Sequence, residues 1–233
     1  MIDLSFDCAD LARTLSHYTI GFGRFLKDGN RSDDVVAAGS GTLVTIGRVH
    51  GVLTARHVLT NIERDDRVAI MRFPNRPELL QQQTIDLKQA EFLSLPGTDG
   101  PLGPDLAFLR LPLVNIENLG GTNSFFPLDA ELPPMHGNYK GLGAIDTVLG
   151  VVAEWSHDLE HTVERRRKHF MMLFAGGVTH NTVKHHEGYD VLAFRPTFED
   201  DMPPPPATRV SAAAACGARF SSRTAPTRLC TAG

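Results

Sequence analysis

Gly39-Ser-Gly-Thr-Leu-Val44, followed by Gly51-Val-Leu-Thr-Ala-Arg-His-Val-Leu59, decides the fold class of this 233-residue chain. Both segments are short, apolar and rich in glycine or β-branched residues, and Gly47-Arg-Val-His-Gly51 lies between them. That arrangement predicts a hairpin joining Leu43–Ile46 to Val52–Thr54. Working outward, Tyr18–Phe25, Val35–Ile46, Arg67–Phe73, Glu91–Pro96 and Leu106–Leu111 are further apolar or alternating runs. Clusters of Gly, Pro, Asn and Asp separate them, as expected of strands divided by turns. Beyond a loop-like stretch over 113–145, Val148–Trp155, His169–Val178 and Tyr189–Phe194 read as strands of a second half. The expectation is an all-β protein, with a short helix over 9–16 near its start.

Composition bounds the function. Hydrophobic residues make up 42% and charged residues 21% of the chain, typical of a globular protein with an apolar core. A formal charge of −4 argues against nucleic acid or an anionic membrane as partner. No apolar run approaches the roughly 18 residues needed to span a bilayer. The start, Met1-Ile-Asp-Leu-Ser-Phe-Asp7, carries early acids and no basic region, so no secretory signal is expected. Three cysteines, Cys8, Cys216 and Cys230, are too few and odd in number for a disulfide framework. They point to reduced thiols and a cytoplasmic location.

A third segment, Asp105-Leu-Ala-Phe-Leu-Arg-Leu111, gives the hairpin a chemical reading. A histidine closing an apolar strand is ordinarily a strand-end residue, and an aspartate opening one is ordinarily a turn residue or cap. Here Gly-Ser-Gly-x-x-Val, Leu-Thr-Ala-x-His-Val and Asp-Leu-Ala-Phe-Leu-Arg-Leu occur in one order, with 48 residues between His57 and Asp105. The three together resemble the histidine and aspartate segments of the trypsin-like (chymotrypsin-fold) serine peptidases. The motifs cover about residues 36–112, and strand pattern alone extends the resemblance over about 146–195.

The resemblance implies two six-stranded antiparallel β-barrels, the second incomplete in this chain. It divides the sequence into an N-terminal segment 1–35, a first barrel 36–115, a partial second barrel 116–200 and a disordered tail 201–233. It implies hydrolysis of a peptide or protein substrate through an acyl-enzyme, without cofactor or metal. A serine hydroxyl is a poor nucleophile near neutral pH and needs a base, which in turn needs an orienting carboxylate. His57 would be the base, at the end of its strand. Asp105 would fix the imidazole tautomer, and Ser211 would be the nucleophile.

The third family segment, a Gly-x-Ser-Gly-Gly turn, is absent as such. Where it is due, the chain reads Arg209-Val-Ser-Ala-Ala-Ala-Ala-Cys216. Arg209 stands in place of the first glycine, and Ala212 and Ala213 in place of the next two. That turn supplies backbone N–H groups to the oxyanion, so its loss bears directly on turnover. Composition also changes here: after Asp201-Met-Pro-Pro-Pro-Pro206 come 27 residues with eight Ala, four Arg, four Thr and no acid. Codons of the form GCG GCG GCG GCC TGT GGC GC encode Ala212–Ala218, and read two bases later they give Gly-Gly-Gly-Leu-Trp-Arg. The tail is therefore read either as a frame-shifted remnant of the nucleophile segment or as a native Ala-rich disordered extension. Under the second reading the chain is a non-catalytic binding module of the same fold.

Other clusters carry weaker chemistry. His157-Asp-Leu-Glu-His161 matches a zinc-peptidase pattern that requires a helix and a further glutamate roughly 70–80 residues on, a distance that falls in the tail, where residues 207–233 hold no acid. Lys184-His185-His186-Glu187 reads as a polar hairpin turn before Tyr189, and Arg165-Arg-Arg-Lys168 as a solvated basic run. Cys216 lacks neighbours that would activate a thiolate, and Trp155 reads as packing.

Overall fold

The computed structural model describes residues 13–25, 35–72, 83–95, 105–130, 145–158, 167–177, 182–186, 189–193 and 230–231. Residues 13–16 are helical, and the chain then enters β1 (Thr19–Phe25). There follow β2 (Val35–Ile46), β3 (Val49–Thr54), α1 (Arg56–Ile62), β4 (Arg67–Arg72), β5 (Gln83–Asp86), β6 (Glu91–Ser94), β7 (Ala107–Arg110), α2 (Leu113–Gly120) and β8 (Phe126–Pro127). Seven of these strands form one antiparallel path in the order β5-β4-β1-β2-β3-β7-β6, and β8 adds to β2 in parallel. The all-β expectation holds, and the sheet curls into a half-barrel around its own inner face.

Alternation explains the curl. Ile20 and Phe22 of β1, Leu43 of β2, Val52 of β3, Val68 and Ile70 of β4, Ile85 of β5 and Leu109 of β7 converge on one buried cluster. Each such side chain contributes about 1.5–3 kcal/mol by leaving water. β1 shifts register between Phe22 and Gly23, and a bulge of this kind bends a strand. Gly23 has no room for a side chain: a Cβ there would meet Val35 Cγ1 at 2.2 Å. An ion pair ties β1 to the segment leading into β4, with Arg24 Nε donating to Asp65 Oδ2 at 2.7 Å.

The hairpin between β2 and β3 is tighter than the sequence suggested. Ile46 pairs with Val49 and Thr45 with His50, leaving only Gly47 and Arg48 in the turn. Gly47 takes φ +58, the left-handed conformation a two-residue turn needs. Its N–H donates to Asp129 Oδ2 at 2.9 Å, tying the turn to the segment after β8.

Two elements correct the loop expected over 113–145. After Pro112, Leu113–Gly120 forms α2, with Leu119 buried and Ile116 packed on the core. Asn115 Nδ2 anchors it to β5 by donating to the Thr84 carbonyl at 2.9 Å. The expected break after 115 therefore falls inside a helix, and β8 still belongs to the first sheet.

Further along, β9 (Ile145–Asp158) and β10 (Arg167–Gly177) pair over most of their length, and β11 (Thr182–His186) pairs with β12 (Tyr189–Ala193). β9 packs beside β2 and β1 of the first sheet. β13 (Cys230–Thr231) pairs with Met172 and Leu173 of β10. The rest of the tail expected over 201–233 lies outside the described residues.

Candidate functional site

β3 ends at Thr54, Ala55 is extended (φ −74, ψ 145), and α1 begins at Arg56. His57 therefore sits in the first turn of a helix, where the sequence reading had put it at a strand end. Val58, Leu59 and Ile62 supply the buried face of α1 and pack the helix into the core cluster of the half-barrel. Ala55, at the N-cap position of α1, offers no side-chain cap.

Two small-residue contacts seat this turn. Gly39 has φ +151, and a Cβ there would meet Val58 Cγ2 at 2.6 Å. Thr54 Oγ1 donates to the Ser40 carbonyl at 2.7 Å in a buried bond between β3 and β2. That hydroxyl crosslinks the two strands just before the histidine. Ser40 is itself 1% exposed, and its Oγ has no hydrogen-bond partner among the described residues.

Asp105 reaches the site through strand register. Thr54 pairs with Ala107, so the residues two beyond Thr54 and two before Ala107 come alongside each other. Arg56 N–H accordingly donates to the Asp105 carbonyl at 3.3 Å. The carboxylate then grips His57 twice: Oδ1 accepts the His57 backbone N–H at 2.9 Å, and Oδ2 lies 2.5 Å from Nδ1. The backbone contact is invisible to motif reading, which assigned Asp105 only to the ring. Both side chains are about half exposed, at 50% each.

The chemistry follows from donor and acceptor roles. An ionised carboxylate only accepts, so Nδ1 carries the proton toward Oδ2 and Nε2 is left as the acceptor. A neutral imidazole held this way can take a proton at Nε2 and return it, while Asp105 stabilises the imidazolium formed between the two steps.

The structure brings together His57 and Asp105. The third expected member, Ser211, lies outside the described residues, as do Cys216 and His161. His157 lies on strand β9, not on the helix a zinc pair would need. Lys184, His185 and His186 lie within strand β11, with His186 paired to Tyr189, so these three are strand residues where a turn was expected, and Glu187 lies outside the described residues. Arg167 and Lys168 of the basic run lie on β10, and Trp155 on β9. Among the described residues no group of three or more His, Cys, Asp and Glu side chains could hold a metal ion. No helix among them is long and apolar enough to cross a membrane.

No family model matches the chain, and no curated protein matches it.

Proposed function

We propose that this protein is a serine-type endopeptidase of the trypsin-like kind, with a two-barrel architecture whose second barrel is incomplete. One observation carries the reading: Asp105 holds His57 by both its backbone N–H and Nδ1, leaving Nε2 as the only ring acceptor. That is the arrangement a general base for a hydroxyl nucleophile requires. Ser211 is the proposed nucleophile, attacking the carbonyl of a peptide or protein substrate. Its proton passes to His57 Nε2, and His57 returns that proton to the leaving amine. The acyl-enzyme is then hydrolysed by water activated at the same nitrogen. No metal or cofactor takes part. The sparse cysteines support a reducing, cytoplasmic setting.

The sequence around Ser211 supports a second reading. Arg209, Ala212 and Ala213 stand where a nucleophile turn wants glycines, and loss of a single oxyanion donor costs about 10²–10³ in turnover. A chain without that turn would be a non-catalytic peptide-binding module of the same fold.

A fluorophosphonate probe separates the two. The peptidase reading expects casein hydrolysis that His57→Ala abolishes, and covalent labelling that peptide mapping places on Ser211. Folded protein that neither hydrolyses nor labels favours the binding module.

A further inference from the structure

The row of residues just before the dyad contains a side chain that proton transfer does not use. Thr54 ends β3 and pairs with Gly41 of β2 on one side and Ala107 of β7 on the other. It is fully buried. Gly41 leaves open the space beside it: a Cβ there would lie 3.3 Å from Thr54 Cβ and 2.4 Å from Val52 Cγ1. Across that space Thr54 Oγ1 reaches β2 and donates to the carbonyl of Ser40, the residue before its own partner.

The two sides of Thr54 are held differently. Toward β7, the Arg56 N–H bond to the Asp105 carbonyl continues the ladder, and the Asp105 carboxylate then takes both the backbone N–H and Nδ1 of His57. His57 and Asp105 are thus fixed to each other by β3 and β7, and move as a unit. Toward β2, the ladder ends at the Gly41–Thr54 pair. Past it, β2 meets the histidine turn through the Thr54 hydroxyl and through Gly39 packed on Val58. Apolar packing has no direction, whereas a hydrogen bond fixes direction as well as distance. A β-branched side chain also holds few rotamers, so the hydroxyl has little freedom to follow a displaced carbonyl. β2 is the strand beside which β9 packs. The Thr54 bond accordingly governs where the dyad stands relative to the second half.

We propose that Thr54 is a positioning residue: its hydroxyl sets the His57–Asp105 pair, as a unit, against β2 and so against the part of the chain that must bring up the nucleophile. The inference rests on the peptidase reading above, and adds to it a residue that touches neither substrate nor the reacting atoms. It separates two kinds of defect. Loss of the Asp105 carboxylate changes the imidazole itself, in tautomer and in proton affinity. Loss of the Thr54 hydroxyl leaves the imidazole as it is and misplaces it, and a displacement of about 1 Å costs on the order of a hundredfold in rate.

The test uses the full-length chain and compares Thr54→Val, which keeps the side-chain volume without the hydroxyl, with Thr54→Ser, which keeps the hydroxyl. Thr54→Ala takes the place of Thr54→Val if the valine variant does not fold. Each is assayed on casein and on a fluorogenic peptide well below its thermal midpoint. Rates are counted per fluorophosphonate-reactive site, so that lost stability does not enter the comparison. Thr54→Val is expected to lower kcat about ten- to a hundredfold, with KM within about twofold of the parent. The acid limb of its pH–rate profile, which reports His57, should coincide with that of the parent. Thr54→Ser should stay within about threefold of the parent in kcat. Unchanged kcat in Thr54→Val makes the hydroxyl structural only and overturns the proposal. So does a fall in Thr54→Ser as deep as in Thr54→Val, which would assign the effect to the methyl group. A shifted acid limb also overturns it, because Thr54 would then act within the His57–Asp105 pair and not through β2. A folded parent chain that neither hydrolyses nor labels sinks the peptidase reading, and the positioning role with it; hydrolysis that Thr54→Val leaves intact sinks the positioning role alone.

Discussion

Gly39 and Val58 touch so closely that no side chain fits between them: a Cβ on Gly39 would lie 2.6 Å from Val58 Cγ2, at a backbone φ of +151. Val58 follows His57 in α1, so the glycine sets how near the helix approaches β2. Gly39→Ala is expected to destabilise the fold by about 1–3 kcal/mol, through overpacking and an unfavourable φ. It should also displace His57 and depress any hydrolysis beyond what lost stability explains. Gly120→Ala is the control: no atom lies within 4 Å of a Cβ there, and the residue is helical. That change should be neutral or stabilise by up to about 1 kcal/mol. Urea denaturation of both variants measures the contrast.

Thr54 and Ser40 make a second contrasting pair. Thr54 Oγ1 satisfies the buried Ser40 carbonyl, whereas Ser40 Oγ meets no partner among the described residues. Thr54→Val keeps the volume but strands that carbonyl, and is expected to cost about 1–3 kcal/mol. Ser40→Ala removes an unpaired buried hydroxyl, and should leave stability unchanged or raise it. A Ser40→Ala loss as large as that of Thr54→Val would refute the assignment.

Asp105→Asn tests the two-point grip on His57. An asparagine side-chain oxygen can still accept the His57 N–H, so the turn should persist, with a stability change below about 1 kcal/mol given the half-exposed pair. It cannot hold the ring tautomer in the same way, and turnover should fall on the order of 10³–10⁴. Matching kinetics with a thermal melt checks both halves. A large melt shift would recast Asp105 as mainly structural.

Arg24 and Asp65 form the other charged contact of consequence. The Asp65 side chain is almost fully buried while Arg24 is 41% exposed, so the pair is partly screened. The side-chain hydrogen bond to Asp65 raises the Arg24 pKa above its ordinary value, against a smaller opposing effect of burial. A raised basic pKa gives stability that is complete below the unfolded value and lost only as pH climbs past it. The Arg24 contribution should therefore be constant through neutral pH. Asp65→Ala is expected to cost about 1–3 kcal/mol. Chemical denaturation at two neutral pH values should return the same difference.

The strands of the first half were legible because their apolar residues alternate between Gly- and Pro-marked breaks: Val35–Ile46 reads directly, and Arg67–Phe73 to within a residue. Helix α1 was not. Its seven residues are too short to establish a helical period, and Val58 and Leu59 extend the apolar run of β3 so that the two elements read as one. α2 was hidden in the same way by the glycines at its end and by Leu113 and Val114, which stay exposed instead of marking a buried stripe. β5 lacks the signal altogether, with Ile85 its one buried residue. The His57–Asp105 pair was legible from spacing and order. The backbone half of the grip was not, because it depends on register between β3 and β7, which no local pattern encodes.

That register also dictates when the dyad can exist. β7 pairs with β3 only after the intervening chain has looped back, and His57 and Asp105 are 48 residues apart. Closing a flexible loop of that length costs roughly 3 kcal/mol of chain entropy, offset only once β7 has docked and Leu109 is buried. During synthesis the histidine helix leaves the ribosome well before its carboxylate partner. A nascent chain stalled before Asp105 would carry the histidine without its carboxylate partner, so the His57–Asp105 pair forms with completion of the first half-barrel and not with the hairpin that displays the histidine.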